Sequence, residues 1–424
     1  MKTKLLVILS LCFITSGSLT AQTWTQQTTP GGTINGLSGA WACDANVVWM
    51  CGPSGVVIRT TNGGANWTMV NAGLTGNDFY TIAAIDANIA EAGAGDGGMW
   101  RTTNGGTSWT SQTLTPTPIF MDVIHFFDSQ NGFALSDPGA AAGLWNYYIT
   151  TNGGISWTAG ANRPPNAAGE AGYDGSYAAL DTGHIWWGTN ASKIWKGSFR
   201  GPFTSASTIA QNSFSLAFND VNTGLAGMVG ANNTPSAISI STNGGISWSN
   251  TSYVPSGFPF AMKYAPGTGY AWYASTNIYR TTNNGGSWTQ QQALGASNFS
   301  SCFTMLNLNT GWAGTGTGQV YKYHDVVGIT PYSNEVPKSF ALYQNYPNPF
   351  NPTTNIHFSV PKDGTVSLKV YDMLGNLVDT YVDGFVKSGT YNAEVDASNW
   401  ASGIYFYTLR TNSFVETKKM SLIK

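Results

Sequence analysis

The sequence predicts an all-β chain: a seven-bladed β-propeller followed by a small antiparallel β-sandwich. Three observations predict it. A Gly-rich octet recurs five times, as TTNGGANW (60–67), TTNGGTSW (102–109), TTNGGISW (150–157), STNGGISW (241–248) and TTNNGGSW (281–288). Its tryptophans stand 42, 48, 91 and 40 residues apart, a blade-sized period in which the long interval is two units. After about residue 326 the repeat stops, and alternating runs punctuated by Gly375, Gly389 and Gly403 take over.

The chain opens with MKTKLLVILSLCFITSGSLTAQ. Lys2 and Lys4 form a basic start, Leu5 to Ile14 an apolar stretch, and Ser18, Thr20 and Ala21 a small-residue cleavage region, so residues 1–21 read as an export signal. About ten apolar residues fall short of the roughly 20 a spanning helix needs, and no transmembrane segment is expected after signal removal. Charged residues are only 9% of the 424, against about 25% in soluble proteins generally, which suits an extracellular β surface of Ser, Thr, Asn and Gly. A formal charge of -2 gives no footprint for nucleic acid, which is excluded as a partner.

Residues 22–326 are read as the propeller. Each unit repeats one order, shown by the third: the run Ile119 to Phe127, the turn Asp128 to Gly132, FALS, a loop, then WNYYIT leading into the octet. Four strands per unit make a propeller blade. Asp44, Asp86, Asp128, Asp181 and Asp220 occupy the repeated first turn and are structural. Asn-Gly and Gly-Gly pairs reach the positive φ of a tight hairpin between strands three and four. The Thr or Ser hydroxyl and the Asn side chain satisfy the turn internally, and the Trp covers apolar surface. Trp67, Trp109, Trp157, Trp248 and Trp288 are thus structural. Phe203 takes the Trp slot of an eroded copy, IWKGSFRGPFT, and Trp24 lies one period before Trp67. The last unit lacks its octet, so the Trp24 segment supplies its outer strand and closes the ring.

These octets resemble the Asp-box of sialidase-like and sortilin-like propellers, with Asn in the Asp position, and the unit order is similar to that of the photosynthesis-assembly propellers. The resemblance implies a fold, not an activity. Residues 327–340 read as a linker and 341–424 as the sandwich. The words YPNPFNPTTNI, VYDMLGNLV, SGIYFYTL and TKKMSLIK closely resemble the type A C-terminal sorting domain of the type IX secretion system. That resemblance implies export through periplasm and outer membrane to the cell surface or the medium, with the secretion machinery as partner of residues 341–424.

If the octets lie on one face, the loops between strands two and three and the connections between blades lie on the other. There the sequence places Asp96 in AGAGDGG, Asp137 in LSDPG, Trp145, and Arg163, Glu170 and Asp174 in the long entry AGANRPPNAAGEAGYDGS. Together they form a polar and aromatic candidate binding patch over blades two to four. The leading reading is a non-enzymatic propeller that binds a protein or glycan through this face. A propeller-type glycoside hydrolase using paired carboxylates and a purely structural envelope protein remain as alternatives. Too few arginines are free for a sialidase. Serine-nucleophile, metalloprotease and Walker motifs are absent, so no catalytic residue, metal ligand or cofactor is assigned. Cys43, Cys51 and Cys302 are odd in number and read as small buried hydrophobes, with their pairing open.

Overall fold

Each octet closes a hairpin with the same hydrogen bonds. Thr60 Oγ1 accepts the Gly64 amide at 2.8 Å and its hydroxyl donates to Asn62 Oδ1 at 3.0 Å, which in turn accepts the Asn66 amide at 2.9 Å. The corresponding amide-to-hydroxyl bonds measure 2.9 Å at Thr102, Thr150 and Thr281 and 2.8 Å at Ser241. A hydroxyl that both accepts and donates, and an Asn oxygen that does the rest, explain why these positions are Thr or Ser and Asn. Gly63 and Gly64 stand at φ 67° and 89°; in the TTNNGGSW copy Asn284 takes the first of these positions at φ 52°, a conformation Asn tolerates.

The octet tryptophans reach backwards into the preceding sheet. Trp67 Nε1 donates to Gln27 Oε1 at 3.0 Å, Trp109 Nε1 to the Val70 carbonyl at 2.8 Å, and Trp157 Nε1 to Glu91 Oε2 at 3.0 Å. Each bond therefore ties one blade to the one before it. The eroded fourth unit does this without an indole: Phe203 packs edge-on against Tyr147 of the third sheet at 5.0 Å and against Trp187 of its own at 4.9 Å.

The computed structural model describes residues 23–424 apart from 31–33, 140, 208–211, 230–234, 266, 295–301, 309, 325–328, 334–335, 363, 387, 399 and 412. The expected export signal, 1–21, lies outside the described residues. The chain forms two compact units, one of Thr23–Asp325 and one holding Val326–Lys424. Among the described residues every regular element is a strand, and no helix is long and apolar enough to cross a membrane.

Among its described residues the first unit holds seven four-stranded antiparallel sheets, each in sequential order except the last. In that one Thr23–Gln27 pairs with Val320–His324, outside Thr310–Gly314 and Cys302–Asn307, so both ends of the repeat share a sheet. The first strands of the sheets are innermost: Gly39–Ala42 touches Phe79–Ala84 on one side and Cys302–Asn307 on the other, which closes the ring. Apolar clusters fill the spaces between neighbouring sheets, such as Trp49, Val57 and Ile82 between the first two. Cys51 and Cys302 are buried, Cys43 is half-buried, and among the described residues no disulfide joins them.

The turns between strands one and two lie on the octet rim. Gly63, Gly105, Gly153 and Gly244 donate their amides to the carbonyls of Asn46, Asn88, Gln130 and Asn222. In those turns Asp44, Asp86, Asp128, Asp181 and Asp220 each accept a backbone amide two residues on. The loops between strands two and three therefore open on the opposite rim.

The second unit packs two four-stranded sheets over one apolar core. One sheet runs Ile329–Ser333, Gly389–Asp396, Thr353–Val360, Ala341–Leu342; the other runs Leu377–Val386, Gly364–Tyr371, Gly403–Thr411, Val415–Leu422. Val366, Leu368 and Val370 alternate inward and meet Ile356, Phe358, Tyr407 and Leu409. Within the stretch read as linker, Ile329–Ser333 instead pairs with Gly389–Asp396, since that edge of the sheet otherwise leaves a row of backbone groups unpaired.

Candidate functional site

The six residues singled out on the loop rim part company. Glu170 is buried, 3% exposed, and its carboxylate is fully engaged: Oε2 meets Lys193 Nζ at 3.0 Å and the Ala167 amide at 2.8 Å, and Oε1 accepts Trp195 Nε1 at 3.1 Å. Trp145, read as part of the candidate binding patch, is fully buried with its ring edge-on to Trp187 at 5.9 Å. A short ribbon puts it there, Gly143–Leu144 pairing with Pro165–Asn166, and Arg163 closes over it by donating to the Trp145 carbonyl at 3.4 Å. Asp96 is exposed and caps its own turn, accepting the Gly98 amide at 2.8 Å. These four serve the scaffold or the solvent, because the long entry to the fourth blade folds back onto the third rather than standing open.

Asp137 and Asp174 do come together, around a residue that sequence reasoning missed. Asp122 belongs to the inner strand Met121–Phe126 and is 1% exposed, with one carboxylate oxygen free of hydrogen bonds. The loop carrying Asp174 passes directly over it: a Cβ on Gly172 would stand 3.0 Å from the Asp122 carboxyl, and the Gly172 amide donates to Asp137 Oδ1 at 2.7 Å. Burial pushes the Asp122 carboxyl well above the usual range, and the charges of Asp137 and Asp174 push it further. Burial raises Asp137 too, against the pull of the Gly172 amide, and raises Asp174 to about 6.

Aromatic rings flank these acids at the loop-rim ends of the inner strands. Tyr80 and Phe120 lie 4.8 Å apart, and Tyr173, Phe214 and Phe260 form a chain at 4.7 and 5.6 Å, all half-buried. Below this mouth the channel narrows. Tyr80, Asp174, Tyr177 and Lys263 line a small upper chamber of about 40 Å³; Tyr177 and Lys263 also line a lower chamber of about 210 Å³. Lys263 rests 4.7 Å over the Tyr177 ring, and burial lowers it to about 8. The signal for both missed residues is an ionisable side chain inside an otherwise apolar inner strand, Asp122 in MDVIHF and Lys263 in AMKY.

Among the described residues no three His, Cys, Asp or Glu side chains are grouped to hold a metal ion. The arrangement instead offers acceptors beside aromatic faces in a half-buried mouth, which can neutralise and stack a cationic or hydroxyl-bearing group.

Comparison with known proteins agrees with this fold. Residues 344–424 match the family of the secretion system C-terminal sorting domain. No curated protein matches the chain by sequence. Among solved structures, YCF48 from Cyanidioschyzon merolae is 16% identical with a TM-score of 0.54, covering 71% of this chain and 98% of that one. A YCF48 structure bound to a D1 peptide is also 16% identical, with a TM-score of 0.56 over 71% of this chain and 96% of that one. A virginiamycin B lyase from Staphylococcus aureus is 13% identical, with a TM-score of 0.53 over 72% and 99%. At such identities the likeness is one of fold, and with the match at its C-terminal end it identifies the chain as a β-propeller carrying a secretion system C-terminal sorting domain, exported by type IX secretion to the cell surface or the medium.

Proposed function

We propose that the propeller is a non-enzymatic binding module whose ligand docks at the loop-rim mouth of the channel, and that the ligand is a polypeptide segment presenting a Lys or Arg side chain. One observation carries this reading: three carboxylates, Asp122, Asp137 and Asp174, crowd the mouth with raised proton affinity, and the buried one has an unpartnered oxygen. A cationic side chain arriving there relieves their repulsion and gains charge-assisted hydrogen bonds. The rings of Tyr80, Phe120, Tyr173 and Phe214 add apolar and cation–π contact on either side. A propeller of this fold, YCF48, has been captured with a peptide, which supports a polypeptide over a sugar.

The test is an array of peptides and of glycans probed with the full chain. Peptides with Lys or Arg are expected to bind, with Asp137→Asn weakening them about ten-fold, the equivalent of about 1.4 kcal/mol. Selective capture of neutral glycans, or release of reducing sugar from polysaccharides, would replace this reading with the lectin or hydrolase alternative.

A further inference from the structure

The lower chamber is a different space from the mouth. Its walls belong to the octet-rim halves of the inner strands and include Trp41, His125, Leu180, Phe218 and Met305, with Lys263 and Tyr177 at its upper end. Among the described residues no Asp or Glu lines it. Among the described residues no ion pair holds Lys263. His125 is kept neutral, pushed down to about 3 by burial and by the charge of Lys263, and its Nδ1 makes no hydrogen bond. The chamber thus presents one cation and one idle imidazole nitrogen within an apolar shell. Holding a half-buried cation without an ion-pair partner is costly, and the cost falls when an anion enters.

Size and charge narrow the class of anion. A cavity of about 150 Å³ lined by apolar side chains holds a benzene ring, so about 210 Å³ admits a ring or short chain with a small head group. A single amine matches one negative charge, whereas a phosphate dianion needs more cations than the lining provides. We propose that the lower chamber binds a small apolar carboxylate, its head paired with Lys263 and within reach of His125, its body against Trp41, Leu180 and Met305. The carboxylate can belong to a free acid or to the C-terminal residue of a peptide.

The experiment is calorimetry and ligand-observed NMR on the full chain with three probes: 3-phenylpropionate, its neutral amide, and a dipeptide ending in phenylalanine. The acid is expected to bind at least ten-fold more tightly than the amide at pH 7, and Lys263→Met to remove that advantage. Ala42→Leu fills the chamber wall and is expected to weaken acid and amide alike, an outcome that does not depend on how Lys263→Met folds. Acid affinity should fall as pH rises through about 8, where Lys263 loses its proton. Of the groups facing it, His125, Tyr177 and Tyr264 stay neutral over that range, and Asp174 in the upper chamber has already ionised near 6. Tighter binding of the dipeptide assigns the natural carboxylate to a polypeptide terminus, and tighter binding of the free acid assigns it to a small molecule; both uphold the site. Equal binding of acid and amide, unchanged acid binding by Lys263→Met, or no binding of any probe would overturn it.

Discussion

On the octet rim the Asp of each first turn caps that turn: Asp128 accepts the Asn131 side-chain amide at 2.9 Å and the Asn131 and Gln130 backbone amides at 2.7 Å, and those bonds hold its carboxyl below the usual range. On the loop rim burial holds Asp122, Asp137 and Asp174 above it, and the charges of Asp137 and Asp174 push Asp122 further. The same residue type therefore sits in opposite electrostatic states at the two ends of the same strands. One rim satisfies its polar groups locally, turn by turn, and is scaffold. The other leaves one Asp122 oxygen without a partner, which costs stability and is what the proposed docking at this rim would relieve.

The sharpest challenge to that division comes from Glu170, which lies on the loop rim yet behaves as scaffold. Glu170→Ala strands the Lys193 amine and the Trp195 indole and is expected to cost about 3–5 kcal/mol, read as a fall in Tm or in denaturation midpoint. A variant of unchanged stability that has lost ligand binding would move Glu170 into the site and break the comparison.

Asp174 is expected to show the opposite sign. Its folded carboxyl binds a proton with an affinity near pH 6, against about 3.9 in the unfolded chain, so the folded state holds more protons between these values. Its contribution is fully present below about pH 4 and lost as pH rises through 6. Asp174→Asn does not titrate and should match the native chain at pH 4 but exceed it by about 3 kcal/mol at pH 7.5. Thermal unfolding at the two pH values measures this. A uniform loss of stability would mean that the charged carboxylate is as well satisfied as those of the octet rim.

The two rims also differ in how far the sequence discloses them. Five octets with internal partners four residues apart write the scaffold into local sequence, and Trp24 one period early was enough to place the closing strand. Asp137 and Asp174 were legible because they stand in loops that topology puts on one rim. Trp145 and Glu170 stand in such loops as well, but what buries them is non-local: the ribbon between 143–144 and 165–166, and a lysine 23 residues further on. Asp122 and Lys263 were hidden for the converse reason, since an inner propeller strand reads as core until the ring closes and one of its faces is found to line a channel.

Within the scaffold, the hydroxyl at the start of each octet is expected to carry a moderate, repeatable load. Thr150→Val leaves the Gly154 amide without its acceptor in a buried turn and should cost about 1–2 kcal/mol. The same change at Thr102 and Thr281 should add to it nearly independently, because the turns share no partners. Chemical denaturation of the single and triple variants reads this directly, and a triple variant no less stable than the single would show that the turns are not independent fasteners.

The smallest effect is expected where one octet departs from the rest. Asn284 takes the positive φ that Gly63 takes in the first copy, and its side chain has acquired a use there, accepting the Tyr264 hydroxyl at 3.1 Å. Asn284→Gly removes backbone strain but also that bond, and it enlarges the freedom of the unfolded chain, so the terms nearly cancel and leave a loss of about 0.5 kcal/mol. A gain in Tm would mean that strain outweighs the Tyr264 bond; a loss above about 2 kcal/mol would mean that this octet, unlike its four siblings, is held by its tertiary contact rather than by its own turn.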